Sequence, residues 1–242
     1  MSFSPDEVER YARHLVLAEV GGPGQQALSR ARVLIVGAGG VGAITLIDHD
    51  AVALSNLQRQ VLFATSDLGR SKVEAGAERL TALNPHVRVQ ALEQRITADN
   101  ARDLVAAHDL VIDGTDDFAT RLTVNAACVA AGRPLVSGAL GRWDGQVGVF
   151  AGRPCYRCLV SEIPPDAETC ARVGVVGALA GVIGSIAALE AIKLITGAGQ
   201  PLTGRLMIFD GLKGSARTVA VGADPGCPVC SAQAKARENS AT

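Results

Sequence analysis

Aromatic side chains are scarce in this chain, only 3% of its 242 residues, so its interior cannot rest on ring packing. What fills the interior instead is a 48% apolar content dominated by Ala, Val, Leu and Ile, the composition of parallel sheets covered by helices. An excess of charge is lacking too. With 23 Lys+Arg against 24 Asp+Glu the net charge is −1, and neither nucleic acid nor an anionic membrane surface is expected as a partner. No cationic, apolar leader stands at Met1–Ser4, so the expected compartment is the cytoplasm. The longest uncharged run, Val173 to Leu189, falls just short of a membrane span and carries Gly174, Gly177, Gly181 and Gly184. It reads as a buried, glycine-notched helix. No internal repeat or low-complexity segment is present.

The hydrophobic pattern predicts an amphipathic helix over Pro5–Leu17 with Ser4 as its N-cap, a break at Gly21-Gly22-Pro23-Gly24, and a short helix over Gln25–Ala31. Apolar runs at Val33–Val36 and Ile44–Ile47 read as strands, as do Val87–Leu92, the buried Leu110–Asp113 and Pro134–Ser137, with helices over Ser71–Leu83, Asp99–Ala107 and Phe118–Ala131 between the later ones. That alternation predicts a doubly wound, mainly parallel α/β sheet. Beyond Gly145 the strands come closer together, at Gln146–Phe150, Arg205–Phe209 and Thr218–Val221, which predicts an antiparallel extension. At this length one domain over residues 1–242 is expected. It would have a nucleotide-binding half to about residue 140, a second half over 141–231 and a polar tail over 232–242.

The chain is organised around Val33–Gln60. A buried strand ends in Gly37-Ala38-Gly39-Gly40, where backbone N–H groups can approach a phosphate. A second strand ends in Asp48-His49-Asp50, placing a carboxylate where a nucleotide-binding sheet holds ribose hydroxyls. Ser55-Asn56-Leu57-Gln58-Arg59-Gln60 follows with polar and cationic groups. GAGG, LIDHD and LSNLQRQ in that order resemble the HesA/MoeB/ThiF family, relatives of the ubiquitin-activating enzymes that adenylate the C-terminal glycine of small sulfur carriers. One departure stands out. Only Gly40-Val41-Gly42 or so separates the first two strands, where the family has a helix rich in alanine and leucine. A parallel pair ordinarily needs a dozen or more residues to cross over, so apolar sheet surface is expected to lie uncovered there, and Gly42 is not expected to bind phosphate.

The resemblance implies an ATP- and Mg²⁺-dependent adenylation site, serving a ubiquitin-like carrier ending in Gly-Gly for molybdopterin or thiamine biosynthesis. In it Arg59 and Asn56 match phosphate-contacting residues, Lys72 a lysine that approaches the phosphates, and Asp116 the catalytic, magnesium-associated aspartate. Gly37, Gly39 and Gly40 would cradle phosphate and Asp48 would take the ribose. Arg13 matches an arginine given to the neighbouring subunit's site, which implies a homodimer. Singly, Arg59 and Lys72 would pass for solvated charges and Asp116 for a helix cap. Two other functions stay open. One is a zinc-clipped carrier-binding homologue that does not turn over ATP; the other is a nicotinamide-dependent oxidoreductase.

Four of the six cysteines form two pairs, Cys155-Tyr-Arg-Cys158 and Cys227-Pro-Val-Cys230. Two C-x-x-C pairs read as a closed, four-thiolate zinc site with a structural role, against the alternatives of a redox couple or unrelated pairs. Cys128 reads as a buried small side chain. Cys170, after Pro164-Pro165, matches the place of a conditional sulfur-transfer cysteine in the family, and reads equally as an exposed thiol.

Overall fold

The computed structural model describes residues 3–36, 42–162 and 174–231. Helices α1 (Pro5–Arg10), α2 (Ala12–Leu15) and α3 (Gly21–Arg30) precede strands β1 (Arg32–Val36) and β2 (Ala43–Asp48). Helix α4 (Lys72–Leu83), β3 (Arg88–Glu93), α5 (Ala98–Ala106), β4 (Leu110–Asp113), α6 (Phe118–Ala131) and β5 (Leu135–Leu140) complete the alternating part. Strand β6 (Asp144–Phe150), α7 (Tyr156–Leu159), the long α8 (Gly177–Thr196), β7 (Arg205–Asp210) and β8 (Ser215–Ala220) follow.

The strands form one sheet in the order β3-β2-β1-β4-β5-β6-β7-β8. Pairing is parallel from β3 to β5 and antiparallel from β5 to β8. Strand order reverses between β1 and β4, and the crevice outside the carboxyl ends of strands at such a point is where open α/β sheets bind ligands. Alternate residues of β1 serve the two faces. Val33 and Ile35 join Val73 of α4 and Leu179, Ile183, Ala187 and Ala191 of α8; Leu34 and Val36 join Val105 of α5 and Val124 and Cys128 of α6.

Several expectations need correction. The N-terminal helix is two short ones, interrupted at Tyr11, whose φ of −98° and ψ of 10° leave the helical region. The capping box of Ser4 with Glu7 is present. Gly21-Gly22-Pro23-Gly24 does not break the chain but forms the first turn of α3, where the missing proline N–H has no intrahelical partner to lose. The first two strands are adjacent and parallel, Val33 pairing with Ile44 and Ile35 with Leu46, although only residues 37–42 link them. At up to roughly 3.6 Å per residue that link is long enough to return along four strand residues without a helix. The expected uncovered surface is not there. Val33 and Ile35 are 0% exposed, Ile44 2% and Leu46 3%, on the face where α4 packs on β2 and β3 and α8 on β4, β5 and β6.

Helix α8 is long and apolar enough to cross a membrane by length and composition alone. Here it lies on the sheet. Its buried Glu190 accepts the Leu202 amide at 2.7 Å and pairs with Lys193, satisfying a charge that would otherwise be costly to bury.

Candidate active site

The carboxyl ends of β1, β2 and β4 place Val36, Asp48 and Asp113 along one edge. Asp48 accepts the Asp50 amide at 2.9 Å, which turns the chain beyond β2 back toward the edge. Lys72, the first residue of α4, donates to Asp50 Oδ2 at 2.7 Å and stands 3.8 Å from Asp48 Oδ2. Its side chain is only 11% exposed, so its charge is held against the two carboxylates. That hydrogen bond holds the Asp50 carboxyl below the ordinary carboxylate range. Arg95, passed over in the sequence, lies 2.8 Å from His49 Nε2 and acts electrostatically on both Asp50 and Asp117, joining the ends of β2 and β4.

Between β2 and α4 a 3₁₀ turn over Leu54–Asn56 leads into Arg59, whose amide bonds to the Asn56 carbonyl and whose guanidinium donates to the Ser55 carbonyl at 3.2 Å. This loop leans on the start of α8. Gln58 Nε2 donates to the Val175 carbonyl, and a Cβ on Gly177 would sit 2.1 Å from the Gln58 carbonyl oxygen. Only glycine permits that approach. The Val176 amide reaches the Arg142 carbonyl, just beyond β5, so the Arg59 loop belongs to the same edge of the sheet.

Asp116 lies in the turn after β4. The Gly114 amide bonds to the Val36 carbonyl, and Asp113 Oδ1 accepts from both the amide and the hydroxyl of Thr115, at 2.9 and 2.7 Å. Asp113 is fully buried, and burial pushes its carboxyl above the usual range while the Arg121 charge opposes the rise. The cap of α6 is Asp117, which accepts the Thr120 amide at 2.8 Å. Asp116 is therefore not the cap; its side chain is exposed at the apex of the turn.

Of the residues expected at the site, Asp48 and Lys72 are in direct proximity, and Asn56, Arg59 and Asp116 share the carboxyl edge. Gly37, Gly39, Gly40 and Cys170 lie outside the described residues, as does the 232–242 tail. Gly42 sits at the amino end of β2, its amide bonded to the Leu28 carbonyl of α3. Arg13 is not part of this edge. It is exposed on α2, in a segment tied by Arg10 and Tyr11 to Leu83 and Asn84 at the far end of α4.

The four paired cysteines converge. All four sulfurs lie within 4.8 Å of one another, with Cys155 to Cys227 at 3.7 Å and Cys158 to Cys230 at 3.4 Å. A tetrahedral zinc with bonds of ~2.3 Å spaces its sulfurs by a little under 4 Å, so this cluster is able to hold zinc and leaves no open coordination position. Asn125 of α6 donates to Cys155 Sγ at 3.6 Å and accepts the Tyr156 amide at 2.8 Å, the outer-shell support such ligands need. Burial raises the Cys227 thiol, but hydrogen bonds from the amides of Cys230 and Val229 and with the side chains of Cys230 and Cys155 together bring the group to about 7.

Residues 11–229 match the ThiF family. The chain belongs to the ThiF family. It is 43% identical to a sulfur carrier protein adenylyltransferase of Thermus thermophilus, over 98% of this chain and 96% of the relative. It is 42% identical both to the molybdopterin-synthase adenylyltransferase of Escherichia coli, over 94% of this chain and 98% of that one, and to the sulfur carrier protein ThiS adenylyltransferase of the same organism, over 91% and 94%. Among solved structures, that of E. coli MccB with MccA-N7isoASN superposes with a TM-score of 0.80 at 23% identity, covering 95% of this chain and 76% of that one, a likeness of fold. Membership in the ThiF family displaces the nicotinamide reading of the glycines and Asp48.

Proposed function

We propose that this ThiF-family protein adenylates the C-terminal glycine of a ubiquitin-like sulfur carrier ending in Gly-Gly. The observation that carries the reading is the identity, over nearly the full length of both chains, to a relative named as a sulfur carrier protein adenylyltransferase. The carboxyl edge supports it with the required chemistry. The carrier carboxylate attacks the α-phosphorus of ATP in line, and pyrophosphate leaves with the bonding electrons. Such a reaction asks the protein for orientation and charge stabilisation rather than a covalent intermediate. Arg59 and Asn56 would engage the phosphates, Lys72 would exchange its Asp50 contact for them, and Asp48 would accept from the ribose hydroxyls. Exposed Asp116 would hold the magnesium that offsets triphosphate charge.

The four thiolates of Cys155, Cys158, Cys227 and Cys230 hold a structural zinc in this reading. The protein works as a homodimer. Arg13 is exposed in a segment tied to the far end of α4, which favours service at a neighbouring subunit's site, and α8 leaves Ala178, Gly181, Val182, Ser185 and Leu189 exposed at helical spacing, a stripe suited to close packing against a second copy. Incubation with ATP and a Gly-Gly-ended carrier, quenched with hydroxylamine, tests the reaction. A carrier hydroxamate that requires the terminal glycine is expected. Its absence while the carrier still binds would favour the non-enzymatic reading.

A further inference from the structure

Arg121 has no role in the reading above, yet it is among the most constrained side chains near the site. It is 5% exposed and lies on the inner face of α6, one turn into the helix. Its guanidinium donates to the Thr115 carbonyl, to the Gly138 carbonyl at 2.9 Å and to Ser137 Oγ at 3.3 Å. Thr115 immediately precedes Asp116, while Ser137 and Gly138 belong to β5. A single planar fork thus bolts the Asp116 turn to the neighbouring strand, a task that a point charge on a flexible stem does poorly. Asp113 holds the same turn from beneath through the Thr115 amide and hydroxyl, so Thr115 is gripped at its N–H, its side chain and its C=O. Asp116 is left as the free projection of a locked turn.

We propose that Arg121 is a positioning residue for the adenylation step, acting through Asp116 by fixing the backbone on which that carboxylate stands. This rests on the role given to Asp116 above. The Arg121 guanidinium is engaged by Thr115, Ser137 and Gly138, so its role runs through the turn rather than through contact with substrate. Its loss should lower kcat and leave the KM for ATP nearly unchanged, because a carboxylate displaced by about 1 Å can cost on the order of a hundredfold in rate.

The test compares wild type, Asp116→Asn, Arg121→Met and the double variant by steady-state ATP–pyrophosphate exchange, with Arg121→Lys as a milder change should the methionine variant not fold. Near-normal exchange in Asp116→Asn would remove the premise and leave the Arg121 contacts purely structural. With Asp116→Asn impaired, the expected result is a fall of at least tenfold in kcat for Arg121→Met, and little further loss when it is combined with Asp116→Asn. Arg121→Lys should lose several-fold in kcat at constant KM while melting within a few degrees of wild type. Full multiplication of the two defects in the double variant, or a lysine variant with unchanged kcat, would overturn the proposal.

Discussion

At the scale of single residues, the site is a set of opposed charges held apart from full solvation. Lys72 is the clearest case, because its mostly covered ammonium contacts Asp50 and approaches Asp48. The Asp50 carboxyl is held below its ordinary value by that contact, so the stabilisation is present above the unfolded carboxylate range near 4 and is lost as pH falls through the lower folded value. Asp50 is half exposed, which keeps the gain below about 1 kcal/mol. Lys72→Met should therefore be slightly less stable than wild type in urea at about pH 6 and indistinguishable from it at about pH 2. A difference that persisted or grew in acid would show that the lysine stabilises by packing alone. The aspartates after β4 teach a related lesson. Asp116 and Asp117 are adjacent identical letters, and only the hydrogen bonds to Thr120 decide which one caps α6 and which one is free.

At the scale of elements, β1, β2, β4 and β5 were legible because buried parallel strands are near-continuous apolar runs, the edge strand β3 from its partly buried Val89 and Ala91 alternating with exposed polar residues, and the antiparallel extension from its closer spacing. Three features were not. The start of α3 was hidden by glycines that a helix accepts in its first turn. The full cover of this face was hidden because α4, which packs on β2 and β3, is joined there by α8, which packs on β4, β5 and β6 from more than 130 positions beyond β1, and no local pattern announces such a contact. Arg121 and Arg95 were hidden because an arginine in a helix or after a strand is ordinary until its partners are known. Gly177 belongs to the same class, since its need for no side chain comes from Gln58 in a distant loop. Gly177→Ala must displace that loop, because a 2.1 Å contact with a carbonyl oxygen cannot be relaxed by a rotamer change. The expected outcome is weaker ATP binding through Arg59, several-fold by calorimetric titration, with α8 still formed by circular dichroism. Unchanged affinity would mean that the Gln58 loop does not set the position of Arg59.

For the whole molecule, the four-thiolate cluster joins segments 72 positions apart and sits on α6, which also begins at the Asp116 turn. Metal bound there is folding free energy. Zinc should copurify at one per chain, and its removal by a strong chelator under reducing conditions should lower the melting temperature by at least about 5 °C, the equivalent of a kcal/mol or two for a chain of this size. A metal-free preparation with the same melting temperature would reduce the cluster to four packed thiols. The proposed activity requires that a sheet whose first two strands are joined by residues 37–42 alone still presents a working adenylation edge. Carrier-dependent ATP–pyrophosphate exchange measures this most directly, because it needs binding, in-line attack and reversal at one site. Exchange by the wild-type protein that depends on the carrier's terminal glycine, and that falls on the order of a hundredfold in Asp116→Asn and Arg59→Ala, is the predicted result. No exchange above background with a carrier that binds, or exchange indifferent to both substitutions, would contradict it.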